Sequence, residues 1–188
     1  MTNPDRLTAL DTTFLHLEDH SPAHMHVASV MVFDGTAPTP QELVEHIVSR
    51  LHLVPRYRQR LANVPYGQGR PVWADDPHFN PRYHIRHTAL PKPADDKALK
   101  QLAGRLFSQR LDRSKPLWEI WLVERMAGER FALIAKTHHA LVDGGSITHT
   151  QSNRVCVVIR DRGWRVRHDL ARGMKNRHRR ARRQRYAG

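Results

Sequence analysis

The chain holds a single cysteine, Cys156, so no intrachain disulfide can staple it and its folded part must rest on a packed core. Long apolar runs are missing too. Nothing approaches the roughly 18 residues of a spanning helix, and the opening MTNPDRLTALD has none of the apolar stretch of a secretory leader. These absences lead us to expect a cytoplasmic protein whose membrane contact, if it has any, is peripheral. Acidic residues are scarce at one end only. From Gln151 to Gly188 twelve arginines and one lysine face Asp161 and Asp169, so this segment carries +11 of the formal charge of +13 and the preceding 150 residues carry +2. The charge describes a tail and not a basic domain. Trp164 and Tyr186 are the tail's aromatics, too few for a base-stacking platform, so no specific nucleic-acid partner is expected.

Other signals are incomplete. His16 and His20 stand four residues apart, and His24 and His26 follow, but HLEDH lacks the glutamate position of a zinc-protease helix and Pro22 breaks any helix joining the four. We expect no metal. Gly67 and Gly69 follow no strand-to-helix pattern and read as a turn, not a phosphate cradle, and no bound cofactor is implied.

Regular elements are nonetheless legible. The valine-rich HVASVMVF, His26 to Phe33, reads as a buried strand ended by Asp34-Gly35. Thr39-Pro40-Gln41-Glu42 combines an N-cap, a proline at the first helical position and a capping-box glutamate. It opens a helix with Leu43, Val44, Ile47, Val48 and Leu51 on one face, which we expect to run to Pro55. Between Pro65 and Pro93 frequent prolines predict loops and short extended pieces. A second helix is expected from near Asp95, with Leu99, Leu102, Ala103, Leu106 and Phe107 as its stripe. LWEIWLVERM and RFALIAKTHH flank Ala127-Gly128-Glu129 and predict a hairpin. This mixed order of strands and helices points to an α/β or α+β sandwich. Beyond Ser146 the arginine-rich segment has too little apolar periodicity to offset its ordering entropy, and we expect disorder or at most a loose helix.

The predicted second hairpin strand leads straight into KTHHALVDGG, Lys136 to Gly145. Successive strand side chains alternate between faces, so His138 and His139 cannot both face one site if the strand continues through them. Phe131, Leu133, Ala135, Thr137 and His139 share a largely apolar face, while Lys136 and His138 lie on the other. His139 is therefore expected to point inward, where a neutral imidazole can take a proton from an alcohol and pass it to a departing thiolate. Asp143 could brace the loop or orient the ring, and Gly144 and Gly145 permit a sharp turn.

HHALVDG, His138 to Gly144, resembles the H-H-x-x-x-D-G motif of CoA-dependent acyltransferases. Further stretches narrow the resemblance to the bacterial wax ester synthase/diacylglycerol acyltransferase family: LTALDTTFLHLED from Leu7, HMHV from His24, PVWADDPHFN from Pro71, and LDRSKPLWEIWLVE from Leu111. The resemblance implies a chloramphenicol-acetyltransferase-like sandwich of mixed sheet and helices, of which residues 1–146 would be the first half and 147–188 a basic low-order tail. It implies transfer of a long acyl chain from acyl-CoA, as co-substrate, to diacylglycerol or a fatty alcohol, with no covalent acyl-enzyme, at the cytoplasmic face of the membrane or a lipid-droplet surface. By carry-over His139 is the general base, His138, Asp143 and Gly144 complete the motif, and Pro116, Leu117 and Trp118 shape the acyl channel or its scaffold. Members have two similar domains, so the chain reads as a truncated copy or one whose reading frame changes near Ser146, weak or inactive in isolation. A non-catalytic partner of a full-length acyltransferase, or an anionic-surface or nucleic-acid binder through the tail, are the alternatives.

Overall fold

A computed structural model describes residues 6–20, 24–64, 69–141 and the backbone of 166–167. Helix α1 (Ala9–His20) opens the chain and strand β1 (His26–Asp34) follows. Helix α2 (Pro40–Val48) leads through two 3-10 turns to the short strands β2 (Gln59–Ala62) and β3 (Val72–Asp75). A single turn of helix, α3 (Pro81–His84), runs directly into β4 (Ile85–Ala89). Helix α4 (Asp96–Phe107), β5 (Trp118–Met126) and β6 (Arg130–His138) complete the main body, and β7 (Val166–Arg167) adds an edge.

Five strands form one sheet in the order β4-β5-β6-β1-β7, and β2 pairs with β3 in a separate two-stranded ribbon. Within the large sheet β4 and β5 are parallel and the other neighbours antiparallel. β6 is central, and both of its faces are covered. Phe131, Leu133 and Ala135 pack with Leu15 of α1 and with Leu43, Val44 and Ile47 of α2, while Ala132 and Ile134 pack with Leu99, Leu102, Ala103 and Leu106 of α4. Helices thus lie on both sides of the sheet. A strand buried on both faces needs a near-continuous apolar run, and FALIA supplies it.

Local chemistry accounts for most boundaries. Thr39 Oγ1 accepts the Glu42 N–H while a Glu42 carboxylate oxygen accepts the Thr39 N–H, which closes the capping box expected at α2. The Asp95 side chain accepts from the Ala98 N–H and starts α4 where its apolar stripe begins. The hairpin turns on Gly128, whose φ of 77° favours a residue without Cβ, and a bulge between Val123 and Met126 absorbs one strand's excess length.

Four expectations need correction or completion. Helix α2 stops at Val48, well short of Pro55, because the Ser49 hydroxyl donates to the His46 carbonyl and Leu51 swings into the core. The N-terminal stretch is a three-turn helix, with Thr8 Oγ1 accepting the Asp11 N–H at its start. The proline-rich segment, expected to hold loops and short extended pieces, contains a parallel edge strand, β4. Within the segment expected to carry no regular strand, β7 pairs with Val32 and Phe33 of β1; the rest of that segment lies outside the described residues. Among the described residues no helix is long and apolar enough to cross a membrane.

Candidate active site

The end of β6 is held by three backbone donors. The His138 N–H donates to the Leu117 carbonyl at 2.9 Å, the His139 N–H to the Met25 carbonyl at 2.7 Å, and the Ala140 N–H to Nδ1 of the His138 ring at 3.1 Å. Residues His139–Leu141 then form a 3-10 turn, driven by the burial of Ala140 and Leu141 in the core beside α1 and α2. This turn leaves the His139 side chain half-buried over α1, its ring 4.4 Å from that of Phe14 at 53°. Nδ1 of His139 is buried and makes no hydrogen bond among the described residues.

His138 is in a different condition. Its side chain is 1% exposed, with Nδ1 occupied by the Ala140 N–H and Nε2 3.4 Å from a Glu18 carboxylate oxygen, a long and loosely aligned contact. Burial pushes the imidazole down to about 4, against the opposing pull of the Glu18 charge. Burial alone would raise Glu18, but the hydrogen bond from Arg113, the neighbouring His138 and the Met25 N–H together hold its carboxyl below the usual range. Arg113 forks across α1: one nitrogen donates to Glu18 and to the Leu15 carbonyl, the other to Asp19, all at 2.8 Å. His26, paired with His138 across the strands, donates from Nε2 to the Phe107 carbonyl at 2.8 Å, which makes that nitrogen the protonated one, and burial holds the ring below its ordinary value.

Two features of the strand argument change. Lys136 and His138 do lie across the strand from Phe131, Leu133 and Ala135, but that face is equally dry: Lys136 is 3% exposed, donates to the Leu106 and Gln109 carbonyls at 3.1 and 3.0 Å, and lies 3.6 Å from Glu119. His139 has left the strand, so the turn and not the alternation sets its direction. Pro116, Leu117 and Trp118 are all buried. Leu117 belongs to the core, and Trp118 stacks on His84 at 4.6 Å and donates from Nε1 to the Tyr57 carbonyl at 2.8 Å. Of the three, Leu117 touches the histidine pair, and it does so through its backbone carbonyl on the His138 N–H. Asp143 and Gly144 lie outside the described residues.

Sequence reasoning did not single out Phe14, Glu18 or Arg113. One signal was available: Asp11, Leu15 and Glu18, spaced i, i+4 and i+7, share the buried face of α1, so two carboxylates occupy a stripe that an ordinary amphipathic helix fills with apolar residues.

Known proteins resemble this chain in sequence and in fold. Residues 7–185 match the family model described as the wax ester synthase/diacylglycerol acyltransferase catalytic domain. The probable diacylglycerol O-acyltransferase tgs3 of Mycobacterium tuberculosis is 40% identical over 140 residues, which is 74% of this chain and 52% of that protein. The solved wax ester synthase/diacylglycerol acyltransferase from Marinobacter aquaeolei VT8 superimposes with a TM-score of 0.62 at 33% identity, over 74% of this chain and 35% of that one. The starter condensation domain of rhizomide synthetase, at 18% identity and a TM-score of 0.57 over 76% of this chain and 34% of that one, shares the fold alone. The chain thus spans about half the length of one curated relative and about a third of the solved one. The fold is the mixed-sheet, chloramphenicol-acetyltransferase-like sandwich, and the chain belongs to the wax ester synthase/diacylglycerol acyltransferase family.

Proposed function

We propose that this chain carries the proton-transfer half of an acyl-CoA-dependent O-acyltransferase, with His139 as the general base and diacylglycerol or a long-chain alcohol as the acceptor. The observation that supports it most is the contrast within the histidine pair. Nδ1 of the fully buried His138 is taken by the Ala140 N–H and its Nε2 faces Glu18 at 3.4 Å without a hydrogen bond, whereas His139 is half-buried against Phe14, with no hydrogen bond to its Nδ1 among the described residues. A base must be reachable by the incoming hydroxyl, and the half-buried second ring suits that role better than the first, which is 1% exposed. In the proposed step His139 takes the hydroxyl proton as the acceptor oxygen attacks the thioester carbonyl. Collapse of the tetrahedral adduct breaks the C–S bond, and the proton passes to the departing CoA thiolate. Family membership and the names of the relatives support the reaction class. The substrates are lipids, so we place the protein at the cytoplasmic surface of a membrane or lipid droplet.

The test is thiol release from a long-chain acyl-CoA, followed with diacylglycerol and with hexadecanol, for this chain and for His139→Ala. Removal of a general base costs on the order of 100- to 10,000-fold. Acceptor-dependent release that His139→Ala abolishes, with its circular dichroism unchanged, is the expected result. Equal release by both proteins, or no acyl transfer above the His139→Ala control, overturns the proposal.

A further inference from the structure

Glu18 is 3% exposed, and a carboxylate does not enter a core without partners. It has three. Arg113 donates to Oε2 at 2.8 Å, the Met25 N–H donates to Oε1 at 3.3 Å, and Nε2 of His138 lies 3.4 Å from Oε2. On the far side of the His138 ring, Nδ1 accepts the Ala140 N–H. An imidazole nitrogen that accepts from a backbone N–H carries no proton, so the neutral ring has its hydrogen on Nε2, facing the carboxylate. The two backbone groups that hold the turn both lead back to Glu18. Ala140 is anchored by the His138 ring that Glu18 faces, and the His139 N–H is anchored by the carbonyl of Met25, whose own N–H Glu18 holds.

We propose that Glu18, clamped by Arg113, is a positioning residue: its carboxylate selects the Nε2–H tautomer of His138, and the freed Nδ1 then anchors Ala140 and sets the turn that presents His139. This rests on the reading of His139 as the base, but the tautomer can be measured without any turnover. Four elements meet at this one carboxylate: the end of α1, the entrance to β1, the loop between α4 and β5, and the end of β6. Asp19 takes the second arm of Arg113, which leaves the first free to hold Glu18 in place.

Glutamine is a discriminating substitute. Glu18 faces donors at both oxygens, so an amide of the same shape must turn its NH2 toward either the Met25 N–H or the Arg113 and His138 donors. One donor then meets another. The experiment is a long-range proton–nitrogen correlation on the full chain with 15N-labelled histidine at pH 7.5, with the His138 ring assigned by its loss in His138→Asn. The expected wild-type pattern is a protonated Nε2 and an unprotonated Nδ1. In Glu18→Gln the pattern shifts to the other tautomer or to a mixture, and acyl transfer falls by up to about 100-fold in kcat with KM for acyl-CoA little changed, as for a displaced catalytic group. A protonated Nδ1 in the wild type overturns the proposal even if the variant does not fold, as does a His138 tautomer that Glu18→Gln leaves untouched. An unmoved tautomer together with a dead His139→Ala would reject the role of Glu18 alone. The expected tautomer shift together with an active His139→Ala would reject the role of His139 as base.

Discussion

Acid should unfold this protein through His138 before it reaches the carboxylates. Burial holds the ring down to about 4, whereas the same histidine in an unfolded chain titrates near 6.5. The unfolded state therefore binds the proton first. The stability that comes from keeping the ring neutral is fully present above about pH 6.5, is lost as pH falls from there toward about 4, and is flat below both values. At about 1.4 kcal/mol per pH unit the loss between pH 7.5 and 4.5 is roughly 2.5 kcal/mol, a large share of a small domain's stability. His26 and His84 are also held low by burial and act in the same direction, so a single acid melt does not isolate His138.

Subtraction does isolate it. Urea unfolding, followed by fluorescence of the buried Trp73 and Trp118, is measured at pH 7.5 and 4.5 for the wild type and for His138→Asn, whose amide oxygen can still accept the Ala140 N–H. The wild type should lose about 2.5 kcal/mol more than the variant across that interval. A direct imidazole titration of His138 should show a midpoint near 4. A difference below about 0.5 kcal/mol, within the usual scatter of such cycles, or a midpoint above 6, would refute the view that this ring is a dry, neutral strut.

Two further outcomes bear on the scaffold. Trp118→Ala removes a ring that is 1% exposed, stacked on His84 and hydrogen-bonded to Tyr57. It should cost about 3–5 kcal/mol in urea unfolding, and a loss under about 1 kcal/mol would place Trp118 in a site that tolerates emptying. Lys136→Met strips the donor from the Leu106 and Gln109 carbonyls at the end of α4 and leaves Glu119 with Arg86 at 3.8 Å. It should cost on the order of 3 kcal/mol, read as a lower thermal midpoint, since a buried charge pair is broken from one side.

Legibility in the sequence tracked how local each cause is. The capping box at Thr39, the start of α4 near Asp95 and the hairpin about Gly128 are decided within four residues, and all three appear where the sequence predicts them. Proline is a strong stop signal and predicts that α2 runs to Pro55, yet the helix ends earlier, where Ser49 and the burial of Leu51 draw the chain away. Strand β4 is short and parallel, and its pairing with β5 depends on residues more than thirty positions away, which no local period reveals.

The candidate site divides in the same way. Its two histidines are visible because they sit together at the end of an apolar run, and the strand alternation puts His139 on the apolar face and His138 on the other; both faces of the strand are dry, and His139 has left it for the 3-10 turn. What separates the two rings is not which face each one takes but what each one meets: His138 meets a backbone N–H and a carboxylate, and His139 meets Phe14. That carboxylate belongs to α1, whose Glu18 reads in isolation as one more charge on a solvated helix. Its meaning comes from Arg113, 95 residues further on, and from a strand end 120 residues further on. A lone glutamate at a buried position is unstable until such partners arrive, so its burial is itself the clue that distant donors converge there. The buried face that Glu18 shares with Leu15 carries that clue, since its donors come from Arg113 and Met25 in elements beyond α1, whereas Asp11 takes its hydrogen bond from Thr8 at the start of its own helix.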